Sequence, residues 1–328
     1  MSSSQPSLFA RTLRYMGMTT LDQQTMRATY ANEDSKFFPC DGNEIHYRVE
    51  GRTDSDAPVL VMLHGIMASL HTWDGWVKEL KENNYLHNHT RMWFASIWIF
   101  TLKLPWQKGA EFFLRELYDG DAASNTLSWR WVAGIQTKGK NYIAQNWNIN
   151  KFTNNKYKDL KLNENPQPII DQRDYKVSPL SINNNETVSD KLVFFENELD
   201  FQFFNIDNHK KVYCILLAND ERQVKLGSKV LDYKKNLIKN QIQNSGLKIE
   251  FIEGNKFIEL SSNDKDFDIV YPSIGENMSF LKRVIKKNNL NINYLTREED
   301  NYCWQFSNKG YFNFKSNIPK ILSQFKLN

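Results

Sequence analysis

The chain has 328 residues, of which 41% are hydrophobic, 13% aromatic and 24% charged. This length predicts two or three domains, and the many aromatic side chains exclude a disordered chain. The net charge of +4 is too small to indicate a nucleic-acid partner by itself. The three cysteines, Cys40, Cys214 and Cys303, lie far apart in the sequence, which argues against a disulfide framework or a zinc site.

No stretch of the sequence is typical of a membrane or secreted protein. The N-terminal residues lack the pattern of a signal peptide. The longest hydrophobic run, Met92 to Leu104, contains Lys103 and is too short to span a bilayer. We therefore expect a cytoplasmic protein that does not contact a membrane.

The composition changes abruptly near residue 82. Residues 1–82 contain 3 Lys, 5 Arg and 2 Asn, whereas residues 83–328 contain 27 Lys, 7 Arg and 34 Asn. The first segment has 8 basic and 11 acidic residues, so its net charge is −3; the second has 34 and 27, so its net charge is +7. We infer two segments of different origin, joined by a natural fusion or by an assembly error.

The first segment contains a predicted hairpin and a predicted buried strand. Residues 37–50 alternate in polarity around Asp41-Gly42-Asn43, which is a typical hairpin turn. Residues 58–63 (PVLVML) form a continuous apolar run, as expected for a central strand covered on both faces. Residues 69–80 are predicted to form the following helix.

The stretches DGNEIHYRVEG and APVLVMLHGIMASLHTWDGWVKEL resemble the N-terminal portion of the α/β-hydrolase fold. The resemblance implies that His64-Gly65 shapes an oxyanion hole, with the backbone N–H groups of Ile66 and Met67 as donors. A hydrolase also needs a nucleophile elbow and a histidine. The chain has no G-x-S-x-G, and its only histidine after His89 is His209. Residues 1–82 are therefore interpreted as a hydrolase-like fragment, and hydrolase activity is not expected.

The segment 83–178 is predicted to be all-helical. The run from Leu86 to Leu104 has apolar residues at helical spacing, and Pro105 is suited to the first turn of a second helix. Asp119-Gly120-Asp121 is a predicted turn. Ser124 or Asn125 is predicted to cap a third helix that runs through Trp129 and Trp131.

Six of the nine tryptophans fall between Trp93 and Trp147. Trp93 and Trp98 are interpreted as ordinary core residues. The remaining candidates stand beside carboxylates and an amide, a mixture typical of a site for a flat aromatic ligand; they are Trp106, Trp129 and Trp131.

Three motifs carry a second resemblance. They are HNHTRM (His87 to Met92), DGDAASN (Asp119 to Asn125) and WRW (Trp129 to Trp131). Their content and spacing resemble the flavin-binding helical domain of the photolyase/cryptochrome family. The resemblance implies FAD as the cofactor, bound by Asn88, Arg91, Asp119, Asp121 and Asn125.

The resemblance also implies individual roles. Arg91 and Asp119 would pair beside the isoalloxazine ring, where an Arg fork can bond a flavin carbonyl while its charge is compensated. Asp121 would approach the polar edge of the ring, and Asn125 would place its amide near flavin N5. Trp129 and Trp106 match the inner two members of a tryptophan electron-hopping chain that photoreduces the flavin.

The same family resemblance implies the substrate. Enzymes of the (6-4) photoproduct class have histidines at the positions of Asn88 and Met92, whereas Asn and Met occur in cyclobutane-dimer photolyases. Met92 and Trp131 would then line the cavity that receives the flipped-out dimer. The implied activity is light-driven electron transfer from FAD to pyrimidine dimers in damaged DNA.

Part of the family's cofactor pocket has no counterpart in the sequence. In the family, the loop that binds the FAD diphosphate lies upstream of the HN-x-x-RM motif, where this chain carries the hydrolase-like fragment. We therefore expect a partial FAD-binding domain with weakened or abolished FAD affinity. The alternatives are an esterase-like hydrolase fragment or a non-catalytic fusion product.

The rest of the chain predicts an open parallel sheet. Residues 179–210 are polar and Asn-rich and are interpreted as a linker. Residues 211–328 predict a Rossmann-like α/β domain, with strands at 211–218, 247–252, 266–271 and 291–295 and helices at 222–244, 276–289 and 316–326. This domain weakly resembles the antenna domain of photolyases, and an unrelated Rossmann-like module is the alternative. The predicted fold class is therefore mixed: a hydrolase-like fragment, a helical flavin domain and an α/β domain.

Overall fold

The computed structural model describes residues 24, 27–28, 31–40, 43–49, 82–157, 160–173, 182 and 187–326. The chain divides into two compact units, Met1–Lys78 and Glu79–Asn328. This division lies close to the change in composition at residue 82. Within the described ranges, no helix is both long and apolar enough to cross a membrane.

The described part of the first unit contains one hairpin. Strand β1 (Ser35–Cys40) pairs antiparallel with β2 (Asn43–Arg48), so that Cys40 lies opposite Asn43. On this hairpin the Phe37 and His46 rings stack with their centroids 4.8 Å apart. The predicted hairpin is therefore confirmed. The predicted strand at 58–63, the oxyanion-hole candidates Ile66 and Met67 and the predicted helix at 69–80 lie outside the described residues.

The second unit begins with a helical module. Its helices are α1 (Asn88–Ser96), α2 (Trp106–Glu116), α3 (Ala122–Val132) and α4 (Asn146–Phe152). A π-helical turn (Ile97–Thr101) continues α1. The all-helical prediction for this module agrees with the described residues. The predicted helix from Leu86 to Leu104 is instead a shorter α-helix followed by the wider turn, after which Lys103 adopts a left-handed backbone with φ 56°.

The start of α3 corrects one prediction. Neither Ser124 nor Asn125 caps this helix, because both lie within its first turn. The cap is Asp121, whose Oδ1 accepts a hydrogen bond from the Ser124 backbone N–H at 2.7 Å. Asp and Ser are similarly good caps, so the sequence contained three suitable side chains within five residues. Of these three residues, Asp121 directly follows the turn at Asp119 and Gly120, and α3 begins after it.

The second unit ends with an α/β module built on a five-stranded parallel sheet. Its strands are β3 (Lys191–Phe195), β4 (Lys211–Leu216), β5 (Glu250–Glu253), β6 (Asp266–Val270) and β7 (Asn291–Leu295). Its helices are α5 (Ser228–Ser245), α6 (Gly254–Asn263), α7 (Glu276–Asn288), α8 (Glu298–Trp304) and α9 (Tyr311–Gln324). The chain therefore has the mixed α/β character that its sequence predicts.

The linker prediction for residues 179–210 is wrong over its second half. The strand order is β5-β4-β3-β6-β7, so β3 lies at the centre of the sheet and pairs with both β4 and β6. The run KLVFF is too short to stand out in a polar, Asn-rich stretch. Its pairing partners follow later in the chain, and local composition does not report them. The structured module therefore begins before residue 191, not at residue 211.

The sheet is buried on both faces, as all-parallel sheets are. Alternate residues of β3 point to opposite sides, so Val193 and Phe195 pack in one core cluster and Leu192 and Phe194 in the other. Cys214 of β4 is fully buried in the second cluster, which agrees with its interpretation as an ordinary core residue. Burial raises the pKa of the Cys214 thiol far above its usual value.

Candidate functional site

An ion pair joins α1 to the turn between α2 and α3. The Arg91 Nη2 atom lies 3.0 Å from both carboxylate oxygens of Asp119. The Arg91 Nε–H group donates to the Leu86 backbone carbonyl at 2.7 Å, which fixes the direction of the guanidinium group. The Arg91 side chain is 23% exposed and the Asp119 side chain 54% exposed. The two predicted partners therefore meet at a solvent-accessible surface, where a ligand could reach them.

A buried amide holds the turn that carries Asp119. Asn84 is only 2% exposed, and its Nδ2 donates to the Glu116 carbonyl at the end of α2 at 2.7 Å. Its own backbone carbonyl accepts from the Tyr118 N–H at 2.9 Å. Sequence analysis missed this residue, because its partners are backbone groups that leave no signal in the side-chain pattern.

The predicted site residue Asn125 of α3 faces α2. The Asn125 Nδ2 group donates to the Ala110 backbone carbonyl at 2.7 Å. Within the described part of the chain, the Asn125 Oδ1 atom has no hydrogen-bond partner and remains an available acceptor. Asp121 is exposed at the start of the same helix, where its carboxylate caps the backbone N–H groups.

Trp129 is the most deeply buried of the predicted tryptophans. It is 2% exposed, and its ring makes edge-to-face contacts with Phe94, Trp98 and Phe113 at centroid distances of 6.2, 6.2 and 5.1 Å. Gly109 allows this packing, because a Cβ atom there would lie 2.1 Å from the Trp129 ring. The Trp129 Nε1–H is buried and has no hydrogen-bond partner among the described residues.

The other tryptophans divide into core and surface. Trp93 and Trp98 are buried, 7% and 4% exposed, so their interpretation as core is confirmed. Trp106 is also buried, at the first position of α2, and no aromatic ring of the described residues contacts it. Trp131 is 40% exposed and stacks on Tyr142 at 5.6 Å.

The remaining predicted residues lie on the first turns of α1. The Asn88 Nδ2 group lies 3.9 Å from the Met92 sulfur, one helical turn away. Asn88 is exposed and Met92 is partly exposed. Both side chains therefore share one accessible face of α1, and Arg91 belongs to the same two turns.

Comparisons with known proteins show what this part of the chain resembles. Residues 72–161 match the family model of the FAD binding domain of DNA photolyase. Among curated proteins, the deoxyribodipyrimidine photo-lyase of Streptomyces griseus is 44% identical over 64 residues, which are 20% of this chain and 14% of the relative. The corresponding proteins of Buchnera aphidicola subsp. Baizongia pistaciae and Escherichia coli are 37% and 33% identical over 70 residues, which are 21% of this chain and 15% of each relative.

The similarity is local. The chain spans only about one seventh of the length of these relatives, as the matched shares of 14% and 15% state. No solved structure matches the chain. The family match supports the photolyase-like reading of the helical module and implies FAD as its cofactor.

The described residues fit the isoalloxazine part of FAD. Arg91 offers a charge-compensated guanidinium group that can donate to a ring carbonyl. The unpartnered Asn125 Oδ1 can accept from a ring N–H, and its neutral amide adds no charge. Trp129 contributes a buried N–H that has no partner among the described residues, and such a group costs free energy until a partner satisfies it. Their roles toward the cofactor stay predictions.

The strand order of the α/β module reverses between β3 and β6. In open parallel sheets, ligands bind beyond the carboxyl ends of the strands where the strand order reverses, which here is between β3 and β6. Asn197 after β3 donates to the Pro272 carbonyl after β6 at 3.0 Å, and Asn277 donates to the Asn197 Oδ1 at 2.9 Å. Side-chain hydrogen bonds therefore link the segments that follow β3 and β6. The antenna-like reading of the module stays a prediction.

Proposed function

We propose that the helical module belongs to a photolyase-like flavoprotein that transfers an electron from FAD to cyclobutane pyrimidine dimers in DNA under blue light. The observation that carries this proposal is the meeting of Arg91 with Asp119 at an accessible surface within the segment that matches the flavin family. In this proposal FAD supplies the light-driven electron transfer, and the protein supplies position and charge.

The side chains have distinct duties toward the ring. Arg91 donates to a flavin carbonyl, Asp119 balances its charge, and the Leu86 carbonyl fixes the direction of the guanidinium group. Asp121 lies near the polar edge, and Asn125 places its amide near N5. Asn88 completes the set from the exposed face of α1. This assignment is supported by the ion pair at 3.0 Å and by the Asn125 amide, whose Nδ2 is bonded to Ala110 while its Oδ1 has no partner among the described residues.

Two further pairs of side chains have proposed roles, one in supplying electrons and one in binding the lesion. Trp129 and Trp106 would form the path that supplies an electron to FAD, with an external thiol reductant as the final donor, and both rings are buried away from water. Met92 and Trp131 line the cavity for the flipped-out dimer, and their partial exposure supports that role. Flipping costs least for a damaged base pair, which favours lesions over intact DNA.

The proposal includes weak retention of FAD. The family's diphosphate-binding residues lie upstream of the HN-x-x-RM motif, and this chain carries hydrolase-like sequence at those positions. Contacts with the ring alone leave the diphosphate and adenosine parts of the cofactor without their usual partners, so much of the binding free energy is lost.

Titration of the full chain with FAD tests the proposal. We expect binding to quench flavin fluorescence, the bound flavin to bleach in blue light with a thiol reductant, and a thymine-dimer oligonucleotide to be repaired in light but not in darkness. FAD binding without repair would restrict the proposal to a flavoprotein. Absence of binding at any soluble FAD concentration would overturn it.

A further inference from the structure

An exposed strip of aromatic and lysine side chains follows α3 and lies outside the proposed flavin site. Trp147, Phe152 and Tyr157 are 62%, 58% and 46% exposed. Lys151 and Lys156 are exposed beside them. These five residues are called the aromatic–lysine strip. Large aromatic side chains are costly to leave in water, so several in one short stretch indicate a binding surface.

The strip is displayed by a rigid support. On its inner face, α4 buries Ile149 in a cluster with Trp93 and Ala144. The Trp93 Nε1–H donates to the Asn148 Oδ1 at 2.9 Å, which ties α4 to α1. The start of α4 is also held, because the Asn146 N–H donates to the Glu164 carboxylate at 2.7 Å. Trp147 therefore projects from a helix whose other side is fixed.

The turn after α4 continues the strip. Asn154 and Asn155 have left-handed backbones with φ of 51° and 57°, a conformation that Asn tolerates better than most residues. The Asn155 N–H donates to the Asn150 carbonyl at 2.9 Å, so this turn closes onto α4. Lys156 and Tyr157 follow this turn and therefore stay close to the end of the helix.

Each lysine of the strip stands over its neighbouring ring. The Lys151 Nζ atom lies 5.6 Å from the Phe152 ring centroid, and the Lys156 Nζ atom lies 5.3 Å from the Tyr157 ring centroid. The aromatic faces are thus paired with positive charge. A base can stack on such a ring while its phosphate meets the ammonium group.

The charge of the surrounding sequence favours a polyanion. Residues 122–158 contain six basic residues and no Asp or Glu, although the chain as a whole is nearly balanced. A protein partner that buried an apolar patch would not require this segregation of charge. A nucleic-acid backbone does, because its affinity depends on cations placed along the phosphates.

We propose that the aromatic–lysine strip binds a single-stranded nucleic acid, stacking bases on Trp147, Phe152 and Tyr157 and contacting phosphates through Lys151 and Lys156. Single strands are favoured over duplexes because the rings need unstacked bases. The site requires neither FAD nor a lesion. It therefore goes beyond the proposed function, and its test in darkness with undamaged strands can fail or succeed independently of that function.

The test uses the full chain, without added flavin, and a fluorescein-labelled oligothymidylate in an anisotropy titration. We expect Trp147→Ala and Phe152→Ala each to weaken binding about fivefold or more, which corresponds to the loss of one stacked base. Trp147→Phe keeps a stacking face and should bind better than Trp147→Ala. Oligouridylate of the same length distinguishes a preference for RNA from a preference for DNA.

The lysines are tested through salt. Replacing both Lys151 and Lys156 by Gln should reduce the slope of log affinity against log salt by roughly 1.4, at about 0.7 for each lost phosphate contact on a single strand. Matched controls are Phe312→Ala and Lys315→Gln, an exposed ring and an exposed lysine on α9, which should leave binding unchanged. Circular dichroism of each variant verifies that the helices persist.

Three results would overturn the proposal. The first is equal affinity for a duplex of the same sequence and for the single strand, and the second is an equal loss of affinity in the α9 control variants. The third is competition by polyglutamate that is as strong as competition by unlabelled oligothymidylate. The last result would assign the strip to acidic polypeptides. Absence of any oligothymidylate binding at low salt by the folded chain would also reject it.

Discussion

The Arg91 Nη2 atom is equidistant from both carboxylate oxygens of Asp119, at 3.0 Å, although 28 residues separate the two in the chain. A pair this exposed adds little to stability, in the range of about 0–1 kcal/mol. The pair lies in the segment that matches the FAD binding domain of DNA photolyase. We therefore expect it to serve ligand binding more than stability.

Replacement of Asp119 by Asn tests that purpose. We expect Asp119→Asn to lower the free energy of unfolding by at most about 1 kcal/mol but to weaken FAD binding, because Arg91 loses its charge partner. Equilibrium dialysis with FAD measures the binding. Glu111→Gln is the control, because it removes the exposed pair between Lys108 and Glu111, also 3.0 Å long. Equal FAD affinity in both variants would contradict the assignment.

Asn125→Asp probes the amide that we place near flavin N5. We expect the variant to keep FAD and to change the absorbance of the bound flavin under illumination, because a carboxylate favours a protonated N5 where a neutral amide does not. The variant also loses its donor to the Ala110 carbonyl, which should destabilise the protein by about 1–3 kcal/mol. Asn125→Ala separates the two effects, since it loses the hydrogen bond without adding charge. Identical illuminated spectra for wild type and Asn125→Asp would count against the placement of Asn125.

Gly109→Ala should unfold more easily, despite the better helix propensity of alanine. The added Cβ would lie 2.1 Å from the Trp129 ring, so α2 and α3 must separate or the ring must turn. We expect a loss of about 1–3 kcal/mol from overpacking, measured by urea denaturation with tryptophan fluorescence. Ser128→Ala, at an exposed position of α3, should change stability by less than about 0.5 kcal/mol. A Gly109→Ala protein as stable as wild type would show that this contact is loose.

Glu221 makes the stability of the α/β module depend on pH. Burial raises the pKa of its carboxyl group, and the hydrogen bond from the Ala218 N–H offsets this in part. The second carboxylate oxygen is buried and has no hydrogen-bond partner in the part of the chain that the structure describes. The folded state holds the Glu221 proton more tightly than the unfolded state does. The protonated Glu221 carboxyl group therefore contributes to stability at acidic pH. This contribution is lost as the pH rises from the ordinary carboxyl pKa, about 4.3, through the folded-state pKa.

Glu221→Gln should therefore raise the urea midpoint at pH 7 and bring no such gain at pH 4, where wild-type Glu221 is already protonated. Glu276→Gln is a control of opposite sign. The two oxygens of Glu276 each accept a backbone N–H at 3.1 Å, from Gln223 and Val224, and an amide retains only one acceptor oxygen. A gain for Glu221→Gln that is the same at both pH values would exclude the titration of this group as its cause.

Local patterns predicted much of the α/β module. The strands predicted at 266–271 and 291–295 agree with β6 and β7 to within one residue, and the helix predicted at 276–289 agrees with α7. Each combines a clear apolar period with turn residues at its ends. Strand β5 begins three residues later than predicted, at Glu250. Periodicity alone does not mark where pairing with β4 starts.

Four elements were not predicted, namely β3, α4, α6 and α8, and the first two lacked such local signals. Strand β3 is five residues long within a polar stretch, and α4 begins at Asn146 among asparagines that favour turns. Both are held by tertiary contacts: β3 by two neighbouring strands, α4 by Ile149 and by the bond between Trp93 and Asn148. At the site, the family motifs identified Arg91, Asp119 and Asn125. Their backbone partners at Leu86 and Ala110, and the Glu116 carbonyl that holds the turn, could not be predicted, because backbone groups leave no signal in the sequence.

The central position of β3 has a consequence for synthesis of the chain on the ribosome. This strand emerges first among the five of its sheet, but one of its two partners, β6, is complete only at Val270, about 75 residues after Phe195. Until then the apolar side chains of β3 lack one neighbour and its open edge can pair with other chains. Slower translation or a chaperone acting between these two strands should increase the yield of folded protein, whereas any expression boundary placed at residue 211 removes the strand on which the sheet is assembled.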